Sequence, residues 1–521
     1  MDRKELFLSQ ISTGYSFKGE SIILGATMLD KEVLKESFVR LPLRTFNRHG
    51  LIAGATGTGK TKTLQILVEQ LSAKGVPSLV MDIKGDLSGV AVAAESNPKI
   101  EERHAKIGLP FIADTSPVEM LSLSDEKGIR LRATVSEFGP VLFSKILGLN
   151  PAQESITAVL FKYCDDHDLP LLDLKDFKKV LQYATTDGKT QIEEEYGQIA
   201  TSSVGTIMRK IVELEQQGAE AFFGERSFDV ADLTRRDSNG RGIVSILRLT
   251  DIQDRPKLFS SFMLQILAEI YATFPEEGDL DKPKLVLFVD EAHLLFEEAS
   301  EALLDQIEVI VKLIRSKGIG VFFVTQNPHD IPDDVLSQLG LKIQHALRAF
   351  TAKDRKNIRL VAENYPLTEF YVVDTVITEL GIGEAFVTVL NEKGIPTPLV
   401  HVLLRAPQSR MDILTDAEIE RIVASSELTR KYNEHIDRES AYEILGGKLD
   451  RAREQEQREM IDRQRNAGRT SSRRKEKSVW ESTTTRQIGR TVARELTRGL
   501  LGVLGVKTTA SRRKSKTVFP W

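Results

Sequence analysis

The stretch Leu51–Leu64, LIAGATGTGKTKTL, limits this chain more than any other. Residues Gly54, Ala55, Thr56, Gly57, Thr58, Gly59, Lys60 and Thr61 match G-x-x-x-x-G-K-[ST], with an apolar strand before and a helical pattern after. Glycines let successive backbone N–H groups turn inward around phosphates, and the following helix adds partial positive charge at its start. Lys60 would reach the β and γ phosphates and the Thr61 hydroxyl would hold Mg²⁺. The nucleotide expected is ATP. Leu64, Leu67, Val68 and Leu71 recur at helical spacing over 60–73, and Gly75 and Pro77 end the run. Ser78–Asp82 is the next strand. A strand, helix and strand of this length demand a parallel sheet.

A second half of the site is legible in LVLFVDEAH. Five apolar residues of a buried strand lead to Asp290 and Glu291 at its carboxyl end. Asp290 would hold the Mg²⁺, and Glu291 would orient and deprotonate the attacking water. The site therefore requires Lys60 and the Asp290–Glu291 pair to converge across adjacent strand ends. The tetrad DEAH also marks helicases with two tandem RecA-type domains, but only one such sheet is legible, and no Ser-Ala-Thr motif follows. His293 is either a ligand or phosphate-coupling residue or a polar residue opening a loop.

The fold class expected is α/β: a RecA-like P-loop NTPase with a mostly parallel sheet, a helical insertion, and a charged helical and disordered C-terminal tail. Residues 1–48 read as a short N-terminal β lobe, with a strand at 21–24. Residues 49–408 read as the ATPase domain, with strands near 242–247, 284–290, 320–326, 342–348 and 385–390. The segment 397–404 would pair with the last as an edge hairpin. Residues 86–240 read as mostly helical, an insertion into the sheet domain. One helix opens at Asn150-Pro-Ala-Gln153, where Asn150 caps, Pro151 takes the first turn and Gln153 closes a capping box. Residues 409–466 read as a charged helical segment and 467–521 as a basic, largely disordered tail, with a short helix over 487–504.

Charge is divided unevenly. From Arg451 to Trp521 there are 19 Lys/Arg against 7 Asp/Glu, in a chain of net charge −4. An acidic body with a basic tail suits contact with an anionic partner. The single cysteine, Cys164, excludes an internal disulfide and a cysteine metal site, and reads as a helix-packing residue. No run of eighteen apolar residues occurs, so no membrane span is expected, and the chain reads as cytoplasmic.

The stretch Ile314–Pro328, IRSKGIGVFFVTQNP, has the form R-x-x-G, apolar strand, [ST]-Q. Together with RHGLIAGATGTGKT (48–61) and DIKGD (82–86), it resembles the HerA/FtsK superfamily of ring-forming translocases, and in particular a HerA-like bacterial group of unassigned role. The resemblance covers about 48–90 and 240–405. It implies that Gln326 contacts the γ-phosphate or the attacking water, and that Arg315 is an arginine finger given to the neighbouring subunit's nucleotide, with Arg348 a second candidate. It also implies a homo-oligomer, usually a hexameric ring, and DNA as partner. Forty-eight residues are too few for the usual N-terminal β-barrel of HerA proteins. Two functions follow as expectations. One is Mg²⁺-dependent ATP hydrolysis by a ring coupled to DNA translocation or helicase activity. The other is a nucleotide-gated, oligomeric protein-interaction module of slow turnover, meeting a protein partner through the insertion or the tail.

Overall fold

The computed structural model describes residues 2–447, apart from 125, 252–254, 279, 297–300, 435 and 437. The expectations for 448–521, including the basic tail and the helix over 487–504, lie outside the described residues.

Among the described residues, twelve strands form one sheet. In chain order they are β1 (Ser21–Leu29), β2 (Glu32–Pro42), β3 (Gly50–Ala53), β4 (Ser78–Asp82), β5 (Val118–Ser122), β6 (Ile129–Arg130), β7 (Val244–Arg248), β8 (Leu285–Val289), β9 (Ile319–Thr325), β10 (Leu341–Gln344), β11 (Glu384–Thr388) and β12 (Val400–Leu404). Their spatial order is β2-β1-β12-β11-β10-β3-β9-β8-β4-β7-β5-β6. From β10 through β6 every pairing is parallel; from β2 through β10 every pairing is antiparallel. The parallel half is covered on both faces, as such sheets must be. Along β8, Leu285, Leu287 and Val289 enter one core while Val286 and Phe288 enter the other. That period of two in an unbroken apolar run places a layer of about 1.5–3 kcal/mol per side chain on each face.

Phe322 shows how tightly the central strands are held. It is fully buried, stacks on Phe46 at 5.3 Å and lies 5.2 Å from Phe288. A Cβ on Gly50, in the neighbouring strand, would come within 2.4 Å of its ring, so glycine is needed there. The helix Lys60–Ala73 buries Leu64, Leu67, Val68 and Leu71, the residues its spacing picks out.

Several expectations change. Residues 1–48 hold the helix Arg3–Gly14 and the β1–β2 hairpin, and this β structure continues the main sheet, because β1 pairs with β12. Consequently β12 does pair with β11, but it is interior and β2 is the edge. The stretch 86–240 is not purely helical either. It supplies β5 and β6, which continue the parallel sheet beyond β7. These strands have only five and two residues, too short for a periodicity to show. Helices at Val135–Leu147, Pro151–Asp166, Leu174–Thr185, Lys189–Tyr196 and Thr201–Gln216 follow, and their apolar faces share one core with a face of the sheet. The Asn150 capping box forms as its sequence indicates, with Asn150 accepting from the Gln153 N–H at 3.1 Å and Gln153 accepting from the Asn150 N–H at 3.1 Å. Cys164 is buried in that helical core.

After β12 the chain returns to the P-loop helix. Glu69, buried on that helix, accepts the Gln408 and Ser409 N–H groups, each at 2.8 Å. Helices Asp416–Ser425 and Glu427–Tyr432 follow, and Leu428, Tyr432, Ala441 and Leu445 complete the core of the helical region.

Candidate active site

The loop Gly54–Thr61 leaves the carboxyl end of β3 and opens the helix Lys60–Ala73. Gly54, Gly57 and Gly59 take φ of +154°, +78° and +112°. The last two lie in the left-handed region, which a Cβ penalises. At Gly54 a Cβ would also meet the Cβ of His345 at 2.5 Å. Lys60 folds back over the loop and donates to the carbonyls of Gly54 (2.7 Å) and Ala55 (3.2 Å). Burial, then the like charge of Lys84, lowers the Lys60 pKa, against the pull of Glu291, Asp290 and Asp86. An anion delivered to the loop would relieve that deficit.

β9 lies between β3 and β8, so the P-loop and the Asp290–Glu291 pair are two strands apart rather than neighbours. Gln326, at the end of β9, spans the gap. Its Nε2 donates to Glu291 Oε2 at 3.4 Å, and its Oε1 accepts from Thr56 Oγ1 at 3.4 Å. The sheet thus brings Thr56, Gln326, Glu291, Asp290 and Lys60 to one edge. Thr61 sits half-buried in the first turn of the helix.

The carboxylates differ in state. Asp290 is 3% exposed, and burial, then the charge of Glu291, pushes its carboxyl up to about 7. Its Oδ2 is buried without a hydrogen-bond partner. Asp82, at the end of β4, accepts the N–H groups of Gly85, Asp86 and Leu87 at 2.8, 3.2 and 3.1 Å; burial still raises it to about 6. Carboxylate oxygens of Asp82, Asp86 and Asp290 all lie within 4.8 Å of one another. An orphaned buried oxygen beside two further carboxylates fits a hard divalent cation. Glu291 takes φ of +45°, a strained value for a non-glycine residue, directly after Asp290. Burial raises its pKa, but the ion pair with Lys84 and the Gln326 hydrogen bond outweigh this and leave it lowered. His293 opens a short helix, with Nδ1 3.2 Å from Glu291 Oε2.

Lys84 is a site residue that the P-loop and DEAH motifs do not indicate. Its signal was the charged turn DIKGD, whose lysine reaches Glu291 only because β4 and β8 are neighbours. His345 is another: it is fully buried behind the P-loop and hydrogen-bonds Thr63 Oγ1 through Nε2 at 2.9 Å.

Arg315 is elsewhere. It follows the helix Glu301–Ile314, whose Ile307, Ile310, Val311 and Ile314 are buried, and precedes the amino end of β9. The length of β9, about 20 Å at 3.3 Å per residue, separates it from the nucleotide edge of its own chain. There it lines a cavity of about 550 Å³ with Arg48, Lys312 and Lys342. His49 fixes this end: Nε2 donates to the Val311 carbonyl (2.8 Å) while Nδ1 accepts the Val321 N–H (3.0 Å). Arg348 is exposed at the nucleotide edge and donates to the Thr378 carbonyl at 2.8 Å.

The sequence profile of the family described as helicase HerA-like, C-terminal, matches residues 28–509. The chain belongs to that family. This HerA-like chain is 21% identical over 332 residues to the DNA double-strand break repair helicase HerA of Sulfolobus acidocaldarius, covering 63% of this chain and 60% of that protein. It is 22% identical over 357 residues to the corresponding protein of Saccharolobus solfataricus, covering 67% and 63%. The match therefore spans less than two thirds of these relatives' length. Among solved structures, the conjugative coupling protein TrwB shares the fold. Its trigonal form with sulphate has a TM-score of 0.51 at 15% identity, covering 78% of this chain and 95% of that one. Its complex with an ATP analogue has a TM-score of 0.51 at 16% identity, covering 78% and 94%. Family and fold place this HerA-like chain among the P-loop ATPases. Among its described residues no helix is long and apolar enough to cross a membrane.

Proposed function

We propose that the chain hydrolyses ATP in the presence of Mg²⁺, as a ring of identical subunits, and that turnover drives movement on DNA. The observation that carries the hydrolytic part is the hydrogen-bonded row Thr56–Gln326–Glu291, which joins the P-loop to the carboxylate edge. Triphosphate entering the loop takes the place of the carbonyls that Lys60 now holds, so the Nζ charge moves onto the β and γ oxygens. Mg²⁺, held by Asp290 and the Thr61 hydroxyl, would neutralise charge on those oxygens. Gln326 positions a water on the γ-phosphorus. Glu291 accepts that water's proton as the new P–O bond forms and the bond to ADP breaks.

For the ring, the support is the placement of Arg315. It lies far from its own chain's nucleotide edge, and among the described residues its guanidinium makes no hydrogen bond or ion pair. A neighbour's γ-phosphate would supply the partner that this guanidinium lacks, and an arginine so placed stabilises charge spreading in phosphoryl transfer. For DNA, the support is the helicase role in the names of the relatives.

A second reading, the nucleotide-gated interaction module, is favoured by the Lys84–Glu291 ion pair. A base held by a cation accepts protons poorly, and such a site turns over slowly. Turnover assays with and without DNA separate the two readings. The ring-translocase reading expects Glu291→Gln to bind ATP but lose about 10²-fold or more in turnover, and expects DNA to stimulate the parent chain. Normal turnover by the Gln variant refutes the catalytic assignment. Absence of stimulation by any form of DNA refutes the translocase reading and leaves the module.

A further inference from the structure

Between β10 and β11 the chain makes an arm, residues 347–382, that the nucleotide chemistry does not use. It has a small core of its own, with Leu347, Ile358, Val361, Tyr365, Ile377 and Leu380 buried together. Both of its stems are hydrogen-bonded to the P-loop. Ala55 N–H donates to the Ala346 carbonyl at 2.8 Å on the way in, and Gly383 N–H donates to the Thr58 carbonyl at 3.1 Å on the way out. A change in loop conformation would therefore reach the arm directly.

The outer surface of the arm is segregated by charge. Residues 348–359 carry Arg348, Lys353, Arg355, Lys356 and Arg359 against one carboxylate, Asp354. Asp354 is already committed: its Oδ2 accepts the N–H groups of Phe350 (2.9 Å) and Thr351 (2.8 Å) to cap the helix Ala352–Glu363. All five cations are exposed, and among the described residues none forms an ion pair, in a chain whose net charge is −4. Beside them the Phe350 ring is 87% exposed. On the buried side Ile358 and Val361 hold the helix to the arm's core, so Lys353, Lys356 and Arg359 form one outward stripe leading from Phe350.

An aromatic ring held open to water at the head of a row of cations that form no ion pair is a surface for a polyanion that also carries flat apolar faces. Single-stranded nucleic acid has that chemistry: its phosphates meet the row, and an unpaired base stacks on the ring. We propose that this arm is a single-stranded nucleic-acid-binding surface, with Phe350 as the stacking platform and Lys353, Lys356 and Arg359 as phosphate contacts. A duplex would have no free base face to offer Phe350. The ligand class rests on the DNA-coupled reading above, but the surface is testable by binding alone.

The test uses the full chain, a labelled oligothymidylate, and fluorescence anisotropy over a series of salt concentrations, without nucleotide. Phe350→Ala should weaken binding by about 5- to 150-fold. The double variant Lys356→Ala/Arg359→Ala should make the salt dependence shallower by about 1.4 in slope, roughly 0.7 for each lost phosphate contact. All three positions are exposed, so thermal midpoints should match the parent. Parent-like affinity and slope in both variants would overturn the proposal. So would loss of binding only when residues 451–521 are removed, since the basic tail would then be the site. Failure of the parent to bind the oligonucleotide, or preference for duplex over single strand, would overturn it too. If the variants lose binding while the parent's ATP turnover ignores the oligonucleotide, the surface stands and the DNA-coupled reading falls.

Discussion

Asp290→Asn should make the nucleotide-free chain more stable, and increasingly so as pH rises. Asp290 is almost wholly buried, its Oδ2 has no hydrogen-bond partner, and its carboxyl is pushed up to about 7 from an ordinary 3.8, first by burial and then by Glu291. A carboxyl with a raised folded-state pKa holds its proton more tightly in the folded chain. Its contribution to stability is complete below the unfolded value and is lost as pH climbs through the folded one. Between about pH 5 and about pH 8 that loss amounts to about 2.5 kcal/mol. Asparagine has nearly the same shape and cannot ionise, so the variant escapes the loss. Groups shared by both chains, Asp82 among them, largely cancel in the comparison. Without metal or nucleotide, the variant should already lead slightly at about pH 5, above the unfolded carboxyl's own value, and its lead in thermal midpoint should grow by about 2–3 °C between about pH 5 and about pH 8, taking an unfolding entropy of roughly 1 kcal/mol/K for a body of this size. Calorimetry in a chelating buffer reads the difference. Mg²⁺ with a non-hydrolysable ATP analogue should stabilise the parent more than the variant, because only the parent keeps the acidic ligand. A lead that does not change with pH, or a variant less stable at about pH 8, would show that Asp290 is not a buried carboxylate awaiting a cation.

Other expectations address the remaining parts. Lys84→Met removes the cation paired with Glu291, so the Glu291 carboxyl should titrate higher, and the acid limb of the turnover profile should move to higher pH; an unchanged limb would mean the pair does not persist with nucleotide bound. Arg315→Ala should lose about 10³-fold in turnover if the arginine acts on a neighbour. Mixing it with inactive Lys60→Ala subunits should then restore part of the activity, because mixed interfaces pair an intact loop with an intact arginine; no restoration on mixing would place Arg315 outside the trans site. Phe322→Ala leaves a void between Phe46, Phe288 and Gly50 and should cost about 3–5 kcal/mol in chemical denaturation; a loss under about 1 kcal/mol would mean the strands collapse onto the gap.

What the sequence makes legible here is what depends on local order. The run GATGTGKT lies in eight consecutive residues, and its glycines are required by backbone angles within that same stretch. Asn150 and Gln153 cap each other three residues apart, and both are found doing so. What was hidden depends on which strands become neighbours. The first 48 residues read as a small β lobe rather than as a continuation of the sheet because nothing in β1 announces that its partner is β12, almost four hundred residues later. β5 and β6 look like part of a helical stretch because strands so short are fixed by the sheet beside them, not by their own periodicity. The site divides in the same way. Lys60, Asp290 and Glu291 each stand in a motif, but Lys84 meets Glu291 only because β4 settles beside β8, and Gln326 spans the gap only because β9 is inserted between β3 and β8. Those two neighbours decide the state of the Glu291 side chain: one holds it as a carboxylate, the other ties it to the loop. Motif residues therefore identify which groups can perform phosphoryl chemistry, whereas strand order determines whether they are free to do so. Regulation of this site should accordingly act on the Lys84–Glu291 contact rather than on the P-loop, whose conformation its own glycines already favour.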